Sequence, residues 1–229
     1  MLDHVLGVDA CRAGWVGVRL GDDVRVHVAG HIADLLAAIE DDGGSVAVIG
    51  VDIPIGLADR GPRLADILAR QAAGVRRSSV FLTPVRAALR AADYPTALAM
   101  HRDLTGSGCS VQAFGLRRKI LEVDAWVRGC GRRVVEVHPE LSFARMAGTP
   151  LAERKATWAG AEHRRSLLAR EGIGLSPDLG RAGRLAGVDD VLDAAAAAWS
   201  ARRVARGQAI CVPSPPETFS DGLPCAIWT

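Results

Sequence analysis

The chain has 229 residues, is 49% hydrophobic, and carries 28 Lys and Arg against 26 Asp and Glu, a formal net charge of +2. That length suits one large domain or two small ones, and the apolar share supports a substantial core. The near balance of charge excludes a strong overall field for nucleic acid or membrane, and no uninterrupted apolar run is long enough to span a bilayer.

"HVLGVDA" reads as a short buried strand, and "GWVGVRLGD" and "DVRVHVAG" alternate as two further strands joined by tight turns, together an antiparallel meander. "HIADLLAAIEDDGG" has helical spacing at Ile32, Leu35, Leu36 and Ile39 and stops at Gly-Gly. "SVAVIGVD" is apolar on both faces, as a central parallel strand should be. The order at the start is therefore β-β-β-α-β. From 62 to 131 the pattern becomes helical, in "PRLADILARQAAG", "YPTALAMHRDLTG" and "QAFGLRRKILEVDAWVRG", with the loop-like "VRRSSVFLTPVRAAL" between. This reads as a helical insertion within a single domain of residues 1–229. "VVEVH" is another strand, "KATWAGAEHRRSLLAREG" a helix, "GLSPDLGRAG" a linker, and "GVDDVLDAAAAAWSARRVARG" a long helix. The tail "AICVPSPPETFSDGLPCAIWT" holds Pro-rich turns and one short edge strand, and it is a candidate for homodimer contacts.

Five cysteines (Cys11, Cys109, Cys130, Cys211 and Cys225) form no CxxC or CxH pair, which argues against a zinc site of the usual spacing. Their odd number and scatter fit a reducing cytoplasm. "MLDHVLGVD" is too short and too acidic for a signal peptide. Arginines cluster in "GVRRSS", "GLRRK", "CGRRV", "AEHRR" and "SARRVARG", a pattern that fits either a local basic groove or solvated helix faces.

The carboxylates carry the most chemistry. Asp9 ends the first strand and Asp52 the fourth. If those strands are parallel neighbours, ~5 Å apart, the two side chains share one small site. Like charges that close need a cation or a proton between them. The alternative is that each caps a turn, accepting from backbone two residues on. Asp190 and Asp193, three apart, project from one helical face. Asp190 is also explained by the helix dipole. Asp193 leads the small-residue face of Ala194, Ala197 and Ala201, where a buried carboxylate needs a partner. Glu136 interrupts an apolar strand and is either an outward residue or a fourth member of the cluster. His138 and Glu140 follow it, and Glu140 also suits the first turn of a helix opened by Pro139.

In chain order, "GVDACRAGWVGV", "VDIPIGL", "GVRRSSVF", "VHPELSF" and "DDVLDAAAAAW" resemble domain-of-unknown-function family 429, whose members are predicted RNase H-like nucleases. The Ala-faced "D-x-x-D-A" helix is also similar to that of RuvC-type Holliday-junction resolvases. The resemblance runs from Gly7 to Trp199. It implies an α/β, RNase H-like fold with a five-stranded mixed sheet, three strands antiparallel and two parallel, flanked by helices. It also implies a carboxylate cluster at Asp9, Asp52, Glu136 and Asp190 or Asp193. Arg12, Trp15, Arg76, Ser78, Ser79, His138 and Glu140 lie inside the shared motifs.

The expected chemistry is metal-dependent phosphodiester hydrolysis. Asp9, Asp52 and Asp193 are the metal candidates, and their hard oxygens suit Mg²⁺ or Mn²⁺, as a pair ~4 Å apart in the two-ion form. Arg76, Arg77 and Lys119 are candidates to bind phosphate, with Ser78 or Ser79 adding hydrogen bonds, and Arg12, His138 and Glu140 are further candidates for substrate binding. The partner is nucleic acid or a small phosphodiester, and with aromatics at 4% few stacking platforms exist, which leans toward the small one. One rival is an actin-like-fold ATPase or phosphotransferase, but the chain shows neither a duplicated half nor a phosphate loop. The other is a non-catalytic binding module that kept the fold.

Overall fold

A computed structural model describes residues 4–229. Residues 1–3, where the stretch read as unsuited to a signal peptide begins, lie outside the described residues. One sheet runs through the described chain: β1 (His4–Cys11), β2 (Gly14–Leu20), β3 (Val24–Ala29), β4 (Val46–Val51), β5 (Arg133–Val137), β6 (Cys211–Thr218) and β7 (Pro224–Trp228). The spatial order is β3-β2-β1-β4-β5-β7-β6. β1, β2 and β3 form the antiparallel meander, β4, β5 and β7 run parallel to β1, and β6 returns antiparallel.

Between β3 and β4 lies α1 (Ile32–Asp41). Between β4 and β5 lie α2 (Leu64–Ala72), a 3₁₀ turn at Gly74–Ser79, α3 (Arg86–Leu89), α4 (Tyr94–Thr105), α5 (Val111–Gly115) and α6 (Arg117–Trp126). After β5 come α7 (Pro139–Ala147), α8 (Trp158–Arg170), α9 (Gly180–Leu185) and α10 (Val188–Ala205). No helix among the described residues is long and apolar enough to cross a membrane.

The sheet has seven strands where five were expected. The tail supplies two of them rather than one. Cys225, Ala226 and Ile227 of β7 are buried, and this strand covers the edge that β5 would otherwise expose. β6 carries three prolines, which its outermost position tolerates because that edge needs no ladder donors. The stretch read as a linker ends in α9.

Strand alternation divides the core. Val5 of β1 and Val48 of β4 pack with the alanines of α10, whereas Leu6, Val8, Ile49 and Val51 pack with Ile32, Leu35 and Ile39 of α1. On the α10 side, Gly7 pairs with Gly50. A Cβ at Gly7 would overlap the backbone of Ala194 and Ala198, and one at Gly50 would lie 2.6 Å from the Ala197 carbonyl oxygen. Two glycines under an alanine face thus let α10 lie directly on the sheet, which sets the reach of its side chains.

Candidate metal centre

Asp9 shares the Val5–Gly7 face of β1, and Asp52 continues the Val48–Gly50 face of β4. The Asp52 amide donates to the Val8 carbonyl at 2.9 Å, so the ladder extends to this residue. α10 delivers Asp193 from above. Asp9, Asp52 and Asp193 each offer a carboxylate oxygen, and the three atoms lie within 4.8 Å of one another. Asp9 and Asp193 are buried, 8% and 3% exposed.

Such crowding must be compensated. Burial, then the Asp52 and Asp193 charges, hold the Asp9 carboxyl well above its usual range. Burial pushes Asp52 up to about 7, with Lys155 opposing and Glu140 adding to the shift. Asp193 also rises to about 7, through burial, against the pull of Lys155. Lys155 Nζ donates to Asp193 Oδ2 at 2.6 Å and lies 3.7 Å from Asp189 Oδ2. Burial opposes its charge, but Asp193, Asp9 and Asp52 outweigh that, and the ammonium titrates above its ordinary value. One ammonium against three carboxylates leaves negative charge in excess. An all-oxygen, anionic donor set of this kind could hold a metal ion.

The other expected site residues fall into distinct places. Asp190 lines a cavity together with Asp9 and Asp52, but its Oδ2 accepts from the Gly187 amide at 3.0 Å, which caps α10. Burial raises its carboxyl. Glu136 pairs with Val51 in the ladder and so projects to the face opposite Asp9 and Asp52. Its Oε2 accepts from the Ile55 amide at 2.8 Å and from Arg63 Nη2 at 2.5 Å. Burial, offset by Arg63, puts Glu136 at about 7.

His138 lines the cavity with Nε2 3.4 Å from the Ser79 carbonyl, and its buried Nδ1 has no partner. Burial lowers its pKa. Glu140 Oε1 accepts from Arg164 Nη2 at 2.6 Å, while its buried Oε2 has no partner. Arg76 donates to the carbonyls of Leu151, at 2.9 Å, and Ala152, so it clamps the segment that carries Lys155. Ser79 lines the cavity and bonds the Arg76 carbonyl at 2.8 Å. Ser78 and Arg77 are exposed on the 3₁₀ turn, and Arg12 is exposed in the turn between β1 and β2. Lys119 stands 4.1 Å from the centroid of the buried Trp15 ring and 3.8 Å from Glu122. Desolvation lowers its pKa.

Sequence reasoning missed Lys155 and the Arg63 network. Arg63, fully buried, also donates to Thr83 Oγ1 at 3.0 Å and lies 3.6 Å from Asp66 Oδ1. Lys155 had one signal: the chain has only two lysines, this one and Lys119.

Fold and site together define a mixed α/β protein with a buried carboxylate cluster at the C-terminal ends of parallel strands. The family model described as "Protein of unknown function (DUF429)" matches residues 7–218, and the chain belongs to that family, in line with its motifs. No curated protein and no solved structure matches it.

Proposed function

We propose that the protein is a metal-dependent phosphodiester hydrolase built on an RNase H-like frame. The observation that carries this reading is the convergence of three carboxylates, two of them buried, within 4.8 Å, only partly offset by a single ammonium. The strand order β3-β2-β1-β4-β5, with β1, β4 and β5 parallel, supports the RNase H-like frame, to which β7 and β6 are added. Asp9, Asp52 and Asp193 would hold Mg²⁺ or Mn²⁺, which when bound supplies Lewis-acid polarisation of a phosphoryl oxygen.

The chain's own groups do the rest. Lys155 sits beside the carboxylates on a segment that Arg76 fixes, positioned to meet a phosphate oxygen. His138, whose side chain lines the cavity, would be the group that accepts a proton from water. The water oxygen bonds to phosphorus as its proton passes to His138, the ester P–O bond breaks, and the leaving oxygen takes that proton back to depart as the alcohol. The free cysteines fit work in a reducing cytoplasm.

The test is hydrolysis of bis(p-nitrophenyl) phosphate with and without Mn²⁺, with Asp52→Asn as control. Mn²⁺-dependent turnover lost in the variant is expected, and equal turnover by the variant sinks the proposal. One observation favours a second reading, a binding module without catalysis: the Lys155–Asp193 bond already neutralises part of the cluster. That reading predicts no turnover with any phosphodiester.

A further inference from the structure

Asp9 and Asp52 of the carboxylate cluster, with Lys155, line one end of a cavity of about 220 Å³ that crosses the C-terminal ends of β1, β4, β5 and β7, and Asp193 stands behind them. The other end is built differently. Glu136 and Asp66 line it, both buried and sharing one guanidinium, that of Arg63. Asp66 Oδ2 is further fixed by the Thr83 amide at 2.7 Å. Two carboxylates against one cation leave acceptor oxygens in surplus at this end. Buried Ile53, Val80 and Thr83 also wall the cavity. This volume lies below the ~300 Å³ at which drug-sized ligand pockets begin. A continuous duplex crossing the cluster would need an open groove on both sides of it, but the segment from Ser79 to Thr83 and the one carrying Lys155 both line the cavity.

Resting on the proposed phosphodiesterase reading, we infer that the substrate is a small phosphodiester, not internal duplex nucleic acid. Its phosphate faces Asp9, Asp52 and Asp193, and its organic part, a nucleoside or a polyol, turns hydroxyl or amino donors toward Glu136 and Asp66. Carboxylates accept such donors with charge assistance, whereas a bare aromatic ester leaves them unmet.

The experiment compares four substrates with Mn²⁺: a diadenosine monophosphate dinucleotide, diglycerol phosphate, bis(p-nitrophenyl) phosphate and closed circular plasmid. The expected result is at least tenfold higher kcat/KM for the dinucleotide or the glycerol diester than for the nitrophenyl diester, with the plasmid left closed. The two donor-bearing substrates separate a nucleoside from a polyol. Asp66→Asn, which keeps an acceptor for the Thr83 amide, should raise KM for the preferred substrate several-fold more than for the nitrophenyl diester, so that the tenfold preference shrinks. Glu136→Gln is the second variant, with the same split expected. Nicking of closed plasmid that Asp52→Asn abolishes overturns the inference and leaves the phosphodiesterase reading standing. Equal loss on all substrates in both variants also overturns it. No Asp52-dependent turnover of any diester overturns both.

Discussion

Replacing Gly50 with alanine adds one methyl group where β4 meets α10. The new Cβ would lie 2.6 Å from the Ala197 carbonyl oxygen and 3.0 Å from Val137 Cγ2. A relaxed C···O contact is ~3.3–3.6 Å, so the shortfall is about 0.7–1.0 Å. Val137 can yield, but the carbonyl belongs to the helix backbone, and no side-chain rotation relieves it. α10 must lift, and Asp193, one turn before Ala197, lifts with it. Overpacking of this kind costs ~1–3 kcal/mol, offset by ~0.4–1 kcal/mol from the reduced freedom of the unfolded chain. The net loss is about 1–2 kcal/mol, or a fall in Tm of about 2–8 °C for a chain of this size. Because Asp193 moves away from Asp9 and Asp52, Mn²⁺ affinity should fall at least tenfold, about 1.4 kcal/mol. Urea denaturation and Mn²⁺ titration by electron paramagnetic resonance read the two effects separately. Wild-type stability together with wild-type Mn²⁺ affinity would refute the argument that helix-to-sheet contact sets the cluster.

Three further outcomes follow from the same geometry. Arg63→Met strips the guanidinium from buried Glu136 and Asp66 and should destabilise by ~3–5 kcal/mol in urea, with Arg63→Met/Glu136→Leu recovering part of that loss. Asp52 and Asp193 titrate near 7 when folded against ~3.9 in an unfolded chain, so the folded state holds extra protons between those values. Metal-free stability should therefore fall as pH rises from about 4 to about 7, and saturating Mn²⁺ should flatten that slope in denaturation curves. Lys155→Met removes the cation that competes for Asp193, so Mn²⁺ should bind about tenfold more tightly, ~1.4 kcal/mol, while turnover falls. Isothermal titration with a parallel hydrolysis assay checks both directions.

Asp9 and Asp52 were legible because a carboxylate at the end of an apolar run breaks a pattern that burial dictates. Asp193 was legible because it leads an alanine face, and small residues announce close approach. Period-two alternation would also have separated Glu136 from the pair, but only once the β4–β5 register was known, and a single sequence does not fix register between distant strands. Lys155 lies in the segment before α8, where no periodicity marks a position. Its partner, Asp193, is 38 residues away along the chain. Only one strand was read in the tail where β6 and β7 lie, because prolines and turn residues outnumber the alternating positions there. Their pairing comes from the need to cover β5, a tertiary demand that local pattern does not carry.

The most direct test of the account is anomalous scattering at the manganese edge from crystals soaked in MnCl₂. A peak among the Asp9, Asp52 and Asp193 carboxylates, absent in Asp52→Asn, is the predicted result. No peak there in the wild-type chain, with Lys155 still bonded to Asp193, would contradict a metal-dependent site.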